Sequence, residues 1–282
     1  MAVKAACEAY VEEVKLRSEA TAVDAEGRFK RLIYGDPIAK VNLQKLSPRN
    51  VADWKKRVLG KGGTKGSFNR NATCLRAALN LAHARRDVAS DHAWANELKP
   101  FKSVDGQRKL YLKRPQRMKL LEHASAEARR FIKTHLLVPL RPGDPAKLKV
   151  EHFDAKHKLL SVQEGKTKRR EIFLSAEAVA HFKECATDKL PAAWLISRDD
   201  GSQWTKEAWR DAINEAADAA ELPKETCAYT LRHCAITDMV TGGHDLFTIA
   251  KISGTSVAMI EKNYGHLQRK HAREALESLS VW

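Results

Sequence analysis

The stretches Tyr229-Thr230-Leu231-Arg232-His233 and Tyr264-Gly265-His266 decide how the fold of this chain is interpreted. Tyr229 and Arg232 lie three residues apart, so a helix would direct both side chains to the same side. The guanidinium of arginine stays charged and binds phosphate oxygens through two parallel N–H donors. A single tyrosine near a chain end is more often a packing residue than a reactive one. The function of these two stretches can therefore be inferred only together with other segments of the chain.

An arginine and an aspartate mark the first of these segments, Leu140-Arg141-Pro142-Gly143-Asp144. Arg141 stands where an apolar helix meets a Gly/Pro turn, and Asp144 follows three residues later, able to brace the guanidinium. An Arg–Asp pair at a helix end is by itself more often structural than functional. In this position it offers a second fixed positive charge for a phosphate.

Two lysines mark the second segment. Residues 159–163 and 170–174 alternate as strands do, and the polar residues 164–169 between them predict the tip of a hairpin. Lys166 and Lys168 fall within this tip. Lysines at hairpin tips are usually only solvated, so their position alone does not indicate a function.

Taken in order, these segments resemble the C-terminal catalytic domain of the tyrosine recombinases, the phage integrase family. That family has a first arginine followed by an acidic residue, a hairpin lysine, an H-x-L-R-H box, an L-G-H box, and a nucleophilic tyrosine nine residues beyond the last histidine. Here Tyr264 lies nine residues beyond Thr255, which follows Gly254. Residues 10–54 and 68–87 resemble the family's core-binding domain, so the resemblance covers nearly the whole chain.

The resemblance implies a site-specific DNA recombinase that cuts and rejoins strands through a 3′-phosphotyrosyl bond, with neither a metal ion nor another cofactor. A phenol, with a pKa of ~10, is a better source of an oxygen nucleophile than an alcohol. The implied catalytic residues are Tyr264 as nucleophile, Arg141 and Arg232 as clamps on the phosphate oxygens, Lys166 as general acid with Lys168 as the fallback, Tyr229 and Thr255 as hydrogen-bonding groups at the phosphate or at Tyr264, and Asp144 as the brace of Arg141.

Two positions depart from the family pattern. Tyr229 stands where the family has the first histidine of its H-x-L-R-H box, and Thr255 stands at the histidine of the L-G-H box. Tyrosine still offers a hydroxyl, but threonine cannot shuttle a proton as imidazole can. These departures favour an alternative, a catalytically degenerate integrase-like protein that binds DNA without cutting it. A type IB topoisomerase and a helix-turn-helix regulator are further alternatives.

The charge of the chain indicates a polyanionic partner. Its 282 residues carry 50 Lys and Arg against 35 Asp and Glu, a net charge of +15. Residues 1–104 hold 20 basic against 11 acidic side chains, so both halves share the excess instead of one basic tail. Because phosphate neutralisation dominates nucleic-acid affinity, this distribution favours a nucleic-acid partner over solubility alone.

Composition limits the class of protein. Hydrophobic residues make up 43% and charged residues 30%, as in soluble globular proteins, and no stretch approaches the ~20 apolar residues that span a bilayer. Lys4 and Glu8 make the N-terminus unlike a signal peptide. Five scattered cysteines without a C-x-x-C pair argue against disulfides and a zinc site. We therefore expect no metal and no membrane, and a location in the bacterial or phage-infected cytoplasm, near the nucleoid.

Periodicity predicts two domains, a helical DNA-binding domain over 1–104 and a catalytic domain over 105–282, with linker-type composition between Pro100 and Lys109. The expected fold is mainly α with a small antiparallel β-sheet. The segments predicted as helices are Ala5–Leu16, Thr21–Leu32, one opened by Ser47-Pro48, Phe68–Arg86, Arg114–Ala126 and Arg129–Leu140, with Gly60–Gly66 as a basic loop.

The expected partner is double-stranded DNA, held as two duplexes by a homotetramer, with accessory DNA-bending proteins as further partners. The residues predicted to bind DNA are Lys65, Arg70, Arg76 and Arg85 in the first domain and Lys168 and His233 in the second. Residues 270–282 have a helical pattern. In the family such a tail commonly packs on a neighbouring protomer, and packing on its own domain is the alternative that the sequence leaves open.

Overall fold

The chain folds into two compact units, Met1–Gly106 and Gln107–Trp282. The computed structural model describes residues 1–60, 62–102, 104, 110–164, 168–268, 277 and 279, and at 164, 168 and 268 only the backbone. Among these residues, no helix is both long enough and apolar enough to cross a bilayer.

The first unit is helical. Its helices are α1 (Val3–Lys15), α2 (Glu19–Leu32), α3 (Pro48–Gly60), α4 (Lys65–Ala84) and the single turn α5 (His92–Ala95). The third helix begins as the sequence predicts, because the Ser47 hydroxyl accepts a hydrogen bond from the Asn50 N–H at 3.3 Å and Pro48 occupies the first turn. The fully buried rings of Trp54, Phe68 and Trp94 lie in its core.

The second unit is mainly helical and contains one small sheet. Its elements are α6 (Arg114–His123), α7 (Ala126–Leu137), β1 (Phe153–Asp154), β2 (Leu159–Glu164), β3 (Lys168–Phe173), α8 (Ala176–Ala186), α9 (Lys206–Ala219), α10 (Ala228–Thr241), α11 (Leu246–Ser253) and α12 (Val257–Tyr264). The strands pair antiparallel in the order β1-β2-β3, with Val162 opposite Arg170 and Leu160 opposite Ile172. The predicted fold, mainly α with a small antiparallel sheet, is thus confirmed.

Helix α10 lies deepest in the second unit. Nine of its fourteen residues are buried, which is typical of a helix surrounded by other elements. It packs against α7 on one side and α11 on another. Because α10 carries Arg232 and His233, this burial gives both residues a rigid support.

Some predicted element boundaries were wrong. Helix α4 begins at Lys65, inside the predicted loop Gly60–Gly66, because the Thr64 hydroxyl caps it by accepting from the Ser67 N–H at 3.1 Å. It ends at Ala84, and Arg86 takes a left-handed φ of 64° that a helix does not allow.

The two predicted helices at the start of the second unit also have other bounds than expected: α6 ends three residues early, and α7 begins and ends three residues before its predicted bounds. Helix α6 ends at His123. Ser125 then caps α7, because its hydroxyl accepts a hydrogen bond from the Ala128 N–H at 3.3 Å. Helix α7 ends at Leu137, two residues before Pro139. The residue before a proline avoids the helical conformation, which explains this early end.

Candidate active site

Arg232 lies at the centre of the candidate site. It stands in the second turn of α10 and is only 9% exposed. Its Nη1 group donates to the carbonyl oxygen of Pro139, just beyond α7, and to that of Ser253, at the end of α11, at 2.8 Å. Carbonyl groups from two separate segments therefore fix this guanidinium.

Arg141 is exposed, yet a tight turn holds it. Its backbone N–H donates to Oδ2 of Asp144 at 3.0 Å, and the Asp144 N–H donates back to the Arg141 carbonyl at 2.9 Å. The Arg141 Nη2 group donates to the carbonyl oxygen of Gly254. Asp144 thus stabilises the turn that carries Arg141, while its predicted direct brace on the guanidinium stays a prediction.

The end of α11 joins the two arginines. Ser253 accepts from Arg232, and the next residue, Gly254, accepts from Arg141. The carbonyl end of a helix carries partial negative charge, which favours cations. Gly254 has φ 66° and ψ 44°, a left-handed conformation that glycine adopts without steric cost. Two adjacent carbonyl groups therefore set the position of one guanidinium relative to the other.

The charges around Arg232 act on one another. The pKa of Arg232 is lowered from 12.5 to about 10, first by burial and then by the positive charges of Arg141 and Arg170. Tyr264 and Asp144 act in the opposite direction. Arg232 still carries its charge at neutral pH, and in a pocket of low dielectric that charge acts strongly on a bound anion.

Tyr264 is the last residue of α12 and is half-buried. Its ring packs against an apolar cluster that includes Ile236 of α10, Ile249 of α11 and Ile260 of α12. Its hydroxyl oxygen lies 3.0 Å from Nδ1 of His233, and the two rings are 5.2 Å apart at their centroids. The structure thus places His233, predicted as a DNA-binding residue, in contact with the predicted nucleophile.

The two positions that depart from the family pattern lie in different settings. Tyr229 stands in the first turn of α10 and is 54% exposed, whereas Arg232, one turn later, is buried. Thr255 follows the end of α11, and its backbone N–H donates to the Ala250 carbonyl at 3.0 Å. Their predicted roles as hydrogen-bonding groups at a phosphate stay predictions.

Arg170 is a site residue that the sequence analysis missed. It lies on the buried face of β3 together with Ile172, and its Nη2 group is 3.3 Å from Oδ2 of Asp144. One carboxylate oxygen of Asp144 therefore accepts from the Arg141 backbone and also pairs with the Arg170 side chain. The signal was present in the alternation of residues 170–174, where an arginine occupies a position of the apolar face.

The predicted general acid is Lys166, with Lys168 as the fallback. Lys166 lies outside the described residues, and of Lys168 only the backbone is described, paired with Glu164 across the hairpin. The predicted C-terminal helix, residues 270–282, also lies almost entirely outside the described part of the chain. These assignments stay predictions.

The basic residues predicted to bind DNA in the first unit do not form one stripe. Successive residues of a helix are rotated by about 100°, so Lys65 and Arg76 lie roughly 20° apart on α4 and Arg70 about 140° from Lys65. Arg85 follows the end of α4 and forms an ion pair with Glu13 at 2.7 Å. One surface can therefore present Lys65 and Arg76 together, but not all four.

The described residues offer no site for a metal ion, because they contain no group of three or more histidine, cysteine, aspartate or glutamate side chains with suitable geometry. The described cluster instead combines three guanidiniums, one carboxylate, one imidazole and one phenol. Guanidiniums can neutralise a phosphate, and a phenol beside an imidazole can act as a nucleophile.

Comparison with known proteins gives a consistent result. The model of the phage integrase family matches residues 112–271. The fold resembles that of the Tn1549 transposon integrase in complex with a circular intermediate DNA, with a TM-score of 0.81, 17% identity, and coverage of 98% of this chain and 99% of that one. By sequence, no curated protein matches the chain.

Two structures of lambda integrase are also similar. For a dimer bound to a COC′ core site, the TM-score is 0.77 at 17% identity, with coverage of 94% of this chain and 95% of that one. For a tetramer bound to a Holliday junction, the TM-score is 0.74 at 16% identity, with coverage of 91% and 78%. At these identities the likeness shows a shared fold.

Proposed function

Because this chain belongs to the phage integrase family, we propose that it is a site-specific DNA recombinase that cuts and rejoins strands through Tyr264. The observation that carries this proposal is the arrangement of Arg141 and Arg232, which donate to the adjacent carbonyl groups of Gly254 and Ser253. Two guanidiniums held in this way suit the two non-bridging oxygens of one phosphate.

In the proposed reaction, the phenolic oxygen of Tyr264 attacks the scissile phosphorus and the bond to the 5′ oxygen breaks. The phosphate is then linked to Tyr264 and to the 3′ end of one strand, and the other strand ends in a free 5′ hydroxyl. Arg141 and Arg232 neutralise the negative charge that develops on the phosphate oxygens. Lys166 donates a proton to the leaving oxygen. The phosphotyrosine conserves the bond energy, so rejoining needs no ATP.

The proposed partner is duplex DNA, in an assembly of four chains on two duplexes. The Tn1549 integrase complex with circular intermediate DNA and the lambda integrase tetramer on a Holliday junction support this proposal. Phosphate contacts are proposed for Lys65 and Arg76, which share one face of α4, and for Lys168 in the second unit. Arg70 and Arg85, which lie off that face, contribute less, and His233 contacts Tyr264 instead of a phosphate. We further propose that accessory DNA-bending proteins are partners of the assembly and that the protein acts in the cytoplasm, at the nucleoid.

One observation favours a second candidate, a degenerate integrase that binds DNA without cutting it. Thr255 supplies a hydroxyl where the family has a histidine. Against this candidate stands the joint presence of Arg141, Arg232 and Tyr264, with the two guanidiniums on adjacent carbonyl groups. The two candidates differ in one observable product, the covalent protein–DNA adduct.

The test uses duplexes that together cover the chromosomal DNA flanking the gene, each with a nick that lets a short strand diffuse away after cleavage. The parent protein should accumulate a detergent-stable adduct on one of these duplexes, and Tyr264→Phe should form none. Tyr10→Phe, a matched change in the first unit, should behave as the parent does. If the parent binds the duplexes but forms no adduct, the proposal fails and the degenerate candidate replaces it.

A further inference from the structure

The contact between α10 and the end of α12 places an imidazole at the reactive oxygen. Nδ1 of His233 lies 3.0 Å from the Tyr264 hydroxyl oxygen, within ordinary hydrogen-bond distance. The imidazole and phenol rings are tilted by 33° and lie against each other. A neutral imidazole has one nitrogen that accepts and one that donates, so Nδ1 can accept the phenolic proton.

The proposed cleavage needs such an acceptor. A phenol with a pKa of ~10 is only about 0.1% ionised at pH 7, and the attacking species is the phenolate oxygen. A base within hydrogen-bond reach and with a pKa near the working pH typically contributes about 10²–10⁴ in rate. Histidine is the side chain whose ordinary pKa meets that condition.

The other described groups of the site serve less well as bases. A guanidinium has no acceptor atom, so neither Arg141 nor Arg232 can take up the phenolic proton. Oδ2 of Asp144 already accepts from the Arg141 backbone and pairs with Arg170. The hydroxyl at position 229, where the family has a histidine, is not basic near neutral pH. His233 lies four residues further along the same helix, and therefore on the same face.

We propose that His233 is a catalytic base, which removes the proton of Tyr264 during cleavage and returns it during rejoining. This inference rests on the proposed function. The Nδ1 lone pair takes the proton as the bond between the tyrosine oxygen and phosphorus forms and the bond to the 5′ oxygen breaks. The 5′ oxygen takes its own proton from the general acid. In the reverse step the imidazolium protonates the departing tyrosine oxygen.

The first test is His233→Gln, which keeps a hydrogen-bonding group but removes the base. On the nicked duplex that traps the parent, the single-turnover rate of adduct formation should fall on the order of a hundredfold. The dissociation constant for the same DNA should change less than threefold. His244→Gln alters an exposed histidine between α10 and α11 and should keep the parental rate.

Two chemical probes separate a base from a merely structural residue. Difluorotyrosine at position 264 has a lower phenol pKa and should restore at least about tenfold of the rate lost in His233→Gln. A substrate with sulfur in place of the bridging 5′ oxygen has a leaving group that needs no general acid. The defect of His233→Gln should persist on this substrate, since a base acts on the nucleophile.

Several results would overturn the inference. A rate for His233→Gln within threefold of the parent rejects it, as does a defect that difluorotyrosine leaves unchanged or that the sulfur substrate removes. If His233→Gln does not fold, the nitrogen chemical shifts of the intact protein decide, because a proton found on Nδ1 of neutral His233 contradicts the role. A parent that forms no Tyr264-dependent adduct rejects the proposed function and the inference together. Adduct formation with an unaffected His233→Gln rejects the inference alone.

Discussion

The two units differ in what they bury. Every buried residue described in the first unit is apolar, with Trp54, Phe68 and Trp94 at its centre. The second unit buries eleven polar or charged side chains among its described residues, including Arg170 and Arg232. The first unit therefore follows the ordinary rule for a stable core, and the second departs from it repeatedly.

The buried charges of the second unit lie at its candidate site. Taking a charge out of water is costly unless carbonyl groups or an opposite charge compensate it. In the second unit, Pro139 and Ser253 provide that compensation for Arg232, and Asp144 provides it for Arg170. Local conflicts with the rules of folding tend to mark functional sites.

The largest expected effect is a loss of stability of the second unit at low pH. Burial first, and then the charge of Arg232, lower the pKa of His135 to about 3, and burial lowers that of His181 to about 4. A histidine whose pKa is lower in the folded than in the unfolded chain destabilises the fold as pH falls below 6.5 towards the folded value. For His135 a shift of this size destabilises the fold by about 4 kcal/mol at pH 3. Hydrogen exchange should therefore show α7 losing protection in acid earlier than α4.

His135→Leu isolates this effect. The variant places an apolar side chain of similar size in the same position, and leucine cannot take up a proton. Urea unfolding between pH 7 and 4 should show a smaller loss of the free energy of unfolding than in the parent. His92→Leu, at an exposed position in the first unit, should follow the parental curve. Parallel curves for the parent and His135→Leu would refute the prediction.

The next effect concerns catalysis. Arg232→Gln removes the buried charge of the proposed phosphate site, so covalent adduct formation should fall at least about a hundredfold, the usual loss for one preorganised donor. Single-turnover cleavage of the nicked duplex measures it. Arg130→Gln breaks an ion pair with Asp199 elsewhere in the second unit and should keep the parental rate. Cleavage by Arg232→Gln within threefold of the parent would show that the buried charge is structural.

The smallest effect concerns the surface of the first unit. The logarithm of the affinity falls with the logarithm of the salt concentration, and each phosphate contact makes this slope steeper by about 0.9. Lys65→Gln should therefore make the slope shallower by about 0.9. Arg85→Gln should reduce it less, because Glu13 already pairs with Arg85. Filter binding at several salt concentrations measures both slopes. Lys30→Gln, which breaks an ion pair with Glu26, is the control. Equal slopes for Lys65→Gln and the parent would exclude a phosphate contact at Lys65.

The helices and the hairpin could be predicted because their signals are local. Ser47 and Pro48 predicted the start of α3, and the alternation at 159–163 and 170–174 predicted β2 and β3. The predicted ends failed where a cap residue, such as Thr64 for α4, lay outside the apolar pattern. A cap depends on one hydrogen bond, which periodicity does not reveal.

By itself, the sequence determined the family, the fold class, the two arginines and the tyrosine of the candidate site, because spacing and order along the chain suffice for these. Only the tertiary structure decided which groups meet. It brought His233 to the hydroxyl of Tyr264 and Arg170 to Asp144, and it set Arg141 and Arg232 on adjacent carbonyl groups. The physical reason is that these contacts join separate helices, strands and turns. Their geometry depends on how α7, α10, α11 and α12 pack, and no local pattern encodes that packing.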